Sequence, residues 1–230
     1  MGLDGDFNLR RLERYLMLAQ SCGVAPVVVL TKGDLVHDAD AKAAQLVARI
    51  PASIPVVRVH ALESRAADVL APWTTAGQTL VLLGSSGVGK STLTNTLADA
   101  HQDTGRVRKG DDRGRHTTTS RSLHLCAGGA CVIDTPGLRA WQPDADEEDV
   151  GAAFGDIDAL AAHCRFHDCT HGEEPGCAVR GVVDADRLRN YHKLLREVRH
   201  AAATPLDRIA ERSKWKVLNR MAKARAQAKR

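Results

Sequence analysis

Apolar residues recur at helical spacing over residues 8–22 (NLRRLERYLMLAQSC), where Leu9, Leu12, Leu16 and Ala19 line one face and Gly23 follows as a stop signal. The texture then changes. PVVVL at 26–30 is a continuous β-branched run without alternation, as in a parallel strand buried on both faces. Residues 38–49 return to a helical pattern, 55–59 (PVVRV) to a strand, 62–70 to a short helix and 79–83 (TLVLL) to a strand that runs straight into glycines. A helix over 90–99, a polar Gly/Arg/Thr-rich stretch at 104–121 and two strands at 122–126 and 130–133 follow. Alternating strands and helices predict an α/β fold with a mostly parallel sheet. From about residue 145 the pattern is helical, interrupted at 164–177 by cysteines and histidines, so a first domain over 1–148 and a second, small and α-helical, over 149–230 are expected.

The glycines after TLVLL carry the first chemistry. GSSGVGKS at 84–91 matches the phosphate-loop pattern G-x-x-x-x-G-K-[ST], placed between a strand and a helix as the mechanism requires. Gly84, Gly87 and Gly89 let the backbone close around phosphates at a helix N-terminus, whose dipole favours anions. Lys90 is expected to bridge the terminal phosphates and Ser91 to ligate Mg²⁺. DTPG at 134–137 fits the second metal-site motif, with Asp134 holding Mg²⁺ through water and the Gly137 amide sensing the γ-phosphate. Between them, GRHTTT at 114–119 lies where a switch segment belongs. One of Thr117, Thr118 and Thr119 should complete the Mg²⁺ shell, and His116 is the polar group available to position water, since Leu138 follows DTPG where many GTPases carry glutamine. His116, Lys90 and Thr118 are therefore the candidate catalytic residues, with slow intrinsic turnover expected.

Base choice falls to TKGD at 31–34. The Asp34 carboxylate accepts from the adjacent N–H donors of guanine, which adenine lacks, and the stem of Lys32 can cover the base. GTP is thus expected over ATP. Thr31 stands where asparagine is usual, and its hydroxyl can still hold the loop; a plain N-cap role for Asp34 is the bland alternative. His60 and Ala61, after PVVRV, are candidates for a second base-contacting loop. TKGD precedes the phosphate loop by about 50 residues, the reverse of the usual order, so the domain reads as circularly permuted. Movement at Gly137 would then pass directly into the C-terminal domain.

Cys164, Cys169, His171 and Cys177 form C-x4-C-x-H-x5-C, three thiolates and one imidazole suited to a closed, structural Zn²⁺ site. His163 and His167 are rival ligands, and Cys22, Cys126 and Cys131 read as ordinary buried cysteines. Charge is uneven: residues 187–230 carry 14 Lys/Arg against three Asp/Glu, or +11 in a chain of net +4. A basic tail of that kind suits an RNA phosphate backbone. No apolar stretch approaches the roughly 20 residues of a membrane span, and the N-terminus has no export pattern, so a cytoplasmic protein is expected.

The permuted order, GDFNLRRLERYL before the first strand, GSSGVGKST, GRHTTT, DTPG and CRFHDCTHGEEPGCAV together resemble the RsgA family of circularly permuted, ribosome small-subunit-dependent GTPases, from Asp6 to about Arg199. The resemblance implies a P-loop GTPase domain followed by a Zn²⁺-binding helical domain, and a late assembly factor that binds the small ribosomal subunit and its rRNA and hydrolyses GTP to GDP when the subunit stimulates it; a monomer is expected. By motif, GTP binding falls on Thr31, Lys32, Gly33 and Asp34 and on Gly84, Ser85, Ser86, Gly87, Val88, Gly89, Lys90, Ser91 and Thr92, with Asp134 and Gly137; Mg²⁺ on Ser91 and Asp134; and Zn²⁺ on Cys164, Cys169, His171 and Cys177. Family members also carry an N-terminal OB-fold barrel that contacts rRNA, and the residues here are expected to begin after it. A nucleotide-stabilised rRNA-binding scaffold with little turnover is the competing expectation.

Overall fold

A computed structural model describes residues 1–60, 65–98, 121–137, 145–204, 207 and 220–221. The chain divides into two compact units, Met1–Trp141 and Gln142–Arg230.

In the first unit, helix α1 (Leu9–Ser21) starts where the Asn8 side chain accepts from the Arg11 amide. Its buried face, Leu9, Leu12 and Leu16, is the stripe expected from the spacing. Strand β1 (Val28–Leu30), helix α2 (Ala39–Val47) and strand β2 (Val56–Arg58) follow, with β1 and β2 pairing in parallel, Val28 opposite Val56. Leu3, α1, β1, Leu46 and Ile54 enclose one core cluster. Helix α3 (Arg65–Leu70), strand β3 (Thr79–Leu82), helix α4 (Lys90–Ala98) and strands β4 (Ser122–Leu125) and β5 (Cys131–Asp134) complete the unit. They form a sheet in the order β3-β5-β4, in which β3 and β5 run parallel and β4 antiparallel, as its short connection to β5 dictates. A second cluster, from Val59 through Leu93 and Leu97 to Val132, fills the space between this sheet and its helices. Every strand expected from the sequence is present, the first four shortened by a residue or two and the last shifted by one.

One expectation about cysteines is corrected. Cys126 is buried and Cys131 partly so, but Cys22 is exposed. Cys22 is the C-cap of α1, beyond the last turn, and so leaves the buried stripe that the helix presents.

In the second unit, helix α5 (Glu147–Ala153) opens with a reciprocal capping box between Asp146 and Asp149. Helix α6 (Gly155–Ala161) and the long helix α7 (Ala185–Ala202) follow. Phe154, Ile157, Leu194 and Val198 are buried, and the Phe154 ring meets Tyr191 edge-on at 5.5 Å. Arg187 lies 4.5 Å over Phe154 while donating to both Asp156 oxygens at 2.8 and 2.6 Å. No described helix is long and apolar enough to cross a membrane.

Candidate functional site

β3 ends at Leu82 and α4 begins at Lys90, so the glycine-rich segment is the turn between them. Gly87 and Gly89 have φ of 77° and 107°, values that a side chain would resist, which is why the pattern needs glycine there. Lys90 lies back across the turn, its Nζ donating to the carbonyls of Gly84 at 3.2 Å and Ser85 at 2.9 Å. Burial lowers the Lys90 pKa, opposed by the charges of Asp134 and Asp6. A cation is thus stored where terminal phosphates would arrive.

Ser91, in the first turn of α4, donates to Asp134 Oδ2 at 2.8 Å. Asp134 is wholly buried at the end of β5, and its other oxygen, Oδ1, has no hydrogen-bond partner among the described residues. An unpaired carboxylate oxygen away from water is costly and calls for a ligand. A hydroxyl beside an open carboxylate oxygen is the hard donor set that Mg²⁺ takes, so these residues fit that ion. Thr135 ties the following turn to β3 through the Leu82 carbonyl at 2.7 Å. Gly137 then lies against the phosphate loop, where an added Cβ would come within 2.5 Å of the Ser86 nitrogen.

The segment expected to read the base, Thr31 to Asp34, reaches the same loop from β1. Thr31 is buried and its hydroxyl donates to the Val88 carbonyl at 2.8 Å, which holds the two segments together in the absence of asparagine. Lys32 is left-handed at φ 59° and pairs with Asp4 at 2.8 Å. Asp34 sits half-exposed in the 3-10 turn Gly33–Leu35, with His60 Nδ1 3.6 Å from its carboxylate. Asp38, not Asp34, occupies the N-cap position of α2, so the bland reading of Asp34 fails. His116, Thr117, Thr118, Thr119, Leu138 and Ala61 lie outside the described residues.

Two residues of this site were missed by pattern reasoning. Asp6 accepts from the Ser85 hydroxyl at 2.5 Å, and Asp4 holds Lys32. The available signal was two acids in GLDGDF, a turn composition just before an Asn N-cap.

In the second unit, Cys164, Cys169, His171 and Cys177 converge with their ligand atoms all within 4.8 Å of one another. Cys164 and Cys177 Sγ are 4.0 Å apart, and each is 3.6 Å from His171 Nδ1. Ordinary Zn–S and Zn–N lengths in a tetrahedron imply about 3.8 Å between sulfurs and about 3.6 Å between sulfur and nitrogen. The donor set therefore fits Zn²⁺ with Nδ1 as the imidazole ligand. Backbone amides of Ala178 and Arg180 donate to Cys164 and Cys177 at 3.3 Å, and at Cys177 desolvation is outweighed by the amide bonds, which lower the thiol pKa. At Cys169 the His171 amide also favours the thiolate, but desolvation and the hydrogen bonds with Cys177 and Cys164 outweigh it and push the thiol up to about 11. His167 is fully exposed beside Asp168 and, like His163, stands apart from the cluster.

Support for the cluster comes from Glu174. It accepts from the amides of Thr170 at 3.0 Å and Gly172 at 2.8 Å, and from the Thr170 hydroxyl, bracketing His171, which is itself left-handed at φ 60°. The Thr170 hydrogen bonds hold the Glu174 carboxyl down at about 2. His192 of α7 contacts the Thr170 carbonyl at 2.9 Å.

The chain matches the model of the RsgA GTPase family over residues 1–144. It is 49% identical over 208 residues to a Vibrio vulnificus (strain CMCP6) protein named small ribosomal subunit biogenesis GTPase RsgA 2, covering 88% of this chain and 59% of that one. It is 48% identical over 221 residues to the small ribosomal subunit biogenesis GTPase RsgA of Xanthomonas oryzae pv. oryzae (strain MAFF 311018), covering 94% of this chain and 61% of that one. The chain thus spans about three fifths of the length of these relatives. Among solved structures it is similar to YloQ, described as a circularly permuted GTPase (TM-score 0.62, 25% identity, 89% of this chain and 68% of that one), and to YjeQ from Thermotoga maritima (TM-score 0.61, 26% identity, 86% and 69%). With the TKGD segment ahead of the phosphate loop and the two meeting at Thr31 and Val88, the chain belongs to the RsgA GTPase family.

Proposed function

We propose that this chain hydrolyses GTP to GDP and phosphate during maturation of the small ribosomal subunit, the role named for its relatives, and that the subunit stimulates the reaction. The observation that carries the reading is the Ser91–Asp134 pair, with its unpartnered buried oxygen, beside a phosphate loop that stores Lys90.

In this reading Gly84 to Thr92 wrap the phosphates and Lys90 turns from the loop carbonyls to the phosphate oxygens. Asp34 reads guanine, Lys32 covers it, and Thr31 fixes the base loop. Ser91 and Asp134 hold Mg²⁺, which neutralises charge developing on the phosphates. Gly137 senses the γ-phosphate from its place against Ser86, Thr118 completes the Mg²⁺ shell, and His116 orients water. Cys164, Cys169, His171 and Cys177 hold a structural Zn²⁺. The two domains are assigned to the two compact units, with the boundary a few residues ahead of the expected 148/149 so that α5 stays whole, and basic residues of the second contact rRNA phosphates. The protein is assigned to the cytoplasm, as a monomer.

The test is GTP hydrolysis by the purified chain with and without small ribosomal subunits. Slow turnover that rises with subunits, and falls by roughly 100-fold or more in Lys90→Ala, is expected. Turnover equal in the two proteins under both conditions would sink the reading.

A further inference from the structure

The segment before α1 is bound to both halves of the nucleotide site. Leu3 is almost wholly buried and its amide donates to the Thr31 carbonyl at 2.9 Å, while the Thr31 amide donates to the Met1 carbonyl at 3.0 Å. This pairing runs parallel to the end of β1 and fixes residues 1–3 beside the base-reading segment. Two acids then project from the turn that follows. Asp4 receives the Asp6 amide on Oδ1 at 3.2 Å and Lys32 Nζ on Oδ2 at 2.8 Å. Asp6 receives the Ser85 hydroxyl on Oδ1 at 2.5 Å and the Gly2 amide on Oδ2 at 3.4 Å. Arg11, from the first turn of α1, donates to the Asp6 carbonyl and to Oδ1 at 2.5 Å, so the carboxylate is held from behind by a cation.

We propose that Asp4 and Asp6 are positioning residues for the nucleotide: Asp6 sets the phosphate loop through Ser85, and Asp4 sets the base loop through Lys32. The inference rests on the GTP-binding reading above. Its physical basis is the cost of ordering. A glycine-rich turn has many conformations and pays for ordering when it binds, unless something orders it beforehand. Ser85 is buried between Gly84 and Gly87, and its hydroxyl has an anionic acceptor 79 residues away in sequence. A hydrogen bond to a charged acceptor is among the stronger ones available. Its direction also matters, because the Ser85 hydroxyl is turned toward Asp6 while the Ser85 carbonyl is turned to Lys90. On the other side, Lys32 holds a left-handed backbone conformation immediately before Gly33 and Asp34. The Asp4 ion pair anchors the side chain of that strained residue, and with it the approach of Asp34 to a base. Asp4 and Asp6 are joined by their own hydrogen bond, so the two arms move as one turn.

The experiment is titration of the full chain with a fluorescent GDP analogue, with GDP and inosine diphosphate as competitors; the latter lacks the exocyclic amine that Asp34 would read. Asp6→Ala should weaken both diphosphates by the same factor, roughly 10-fold as expected for one charge-assisted hydrogen bond. Ser85→Ala should cost a similar factor, and the double variant little more than either alone. Asp6→Asn keeps an acceptor for Ser85 and should recover most of the loss. Asp4→Ala should narrow the preference for GDP over inosine diphosphate, which general loosening of the fold would leave unchanged. Affinities unaltered by Asp6→Ala, additive losses in the double variant, or no rescue by Asp6→Asn would overturn the Asp6 arm, and an unaltered preference in Asp4→Ala would overturn the Asp4 arm. If Asp6→Ala does not fold, Ser85→Ala and Asp6→Asn decide the phosphate arm by the same titration. Absence of guanine nucleotide binding by the unsubstituted chain would overturn the GTP-binding reading itself, and this inference with it.

Discussion

The two candidate sites are held in place by different means. In the first unit the described phosphate-loop residues and Asp134 sit at the end of a strand, in the first turn of a helix or in the turn joining them, so the sheet ladder and two apolar clusters fix the geometry. In the second unit the four metal-ligating residues lie between α6 and α7, in about 23 residues without a helix or strand. Hydrogen bonds to Glu174 and His192 shape part of that loop, and no sheet ladder or helix holds the described ligand residues. One site is thus preformed by its fold, while the other, a donor set that fits Zn²⁺, is expected to depend on an ion for its order.

Metal removal tests this most directly. Chelation, or Cys169→Ser, should release the 162–184 loop, since structural Zn²⁺ contributes on the order of 10 kcal/mol to folding. Hydrogen exchange should show protection lost there and in neighbouring α7, with α1 and β1 unaffected; equal loss in both units would break the comparison. A smaller effect is expected from Asp34→Asn, which should move preference from guanine to xanthine nucleotides on the order of 100-fold with Zn²⁺ content unchanged. Retained guanine preference would remove Asp34 from base reading. Gly137→Ala comes next. Its Cβ would meet the Ser86 backbone, and overpacking there should cost about 1–3 kcal/mol, read as weaker GTP binding and a lower melting temperature for the first unit.

The smallest effect concerns the Arg187–Asp156 fork. Desolvation raises the Asp156 pKa, but the Arg187 hydrogen bonds and charge, with backbone amides, outweigh it and hold the carboxyl below its usual 3.8. A depressed carboxyl stabilises the fold above its unfolded value and loses that contribution as pH falls through the folded one. Asp156→Asn should therefore lower the melting temperature of the second unit at pH 7, by about 1 kcal/mol or less because Asp156 is half exposed, and the difference should vanish on acidification below 3.8. A difference independent of pH would mean that Asp156 acts through shape rather than charge.

Much of the first unit was legible because its chemistry is local in sequence. β-branched runs gave β1, β2 and β3, glycine spacing gave the phosphate turn, and DTPG gave the buried Asp134. What escaped was contact at long range. Nothing in GLDGDF signals that Asp6 will meet a serine 79 residues on, because such a bond has no period and no motif. Cys22 was misjudged because burial was inferred from residue type, when its place past the end of α1 decides it. In the second unit residue types and spacing identified the ligands, whereas the Glu174 bracket around a left-handed His171 depends on backbone geometry that spacing does not encode.

The arrangement of the two apolar clusters has a consequence for synthesis. All members of the first cluster, from Leu3 to Ile54, and the partly buried residues packed on it are made before the phosphate turn at 84–91 exists. A chain emerging from its own ribosome can therefore bury the half that carries TKGD around α1, β1 and α2 first. The phosphate half is then built onto a template already in place, with Thr31 waiting for the Val88 carbonyl and Asp6 for Ser85. Circular permutation thus sets the birth order of a site whose final geometry does not reveal it.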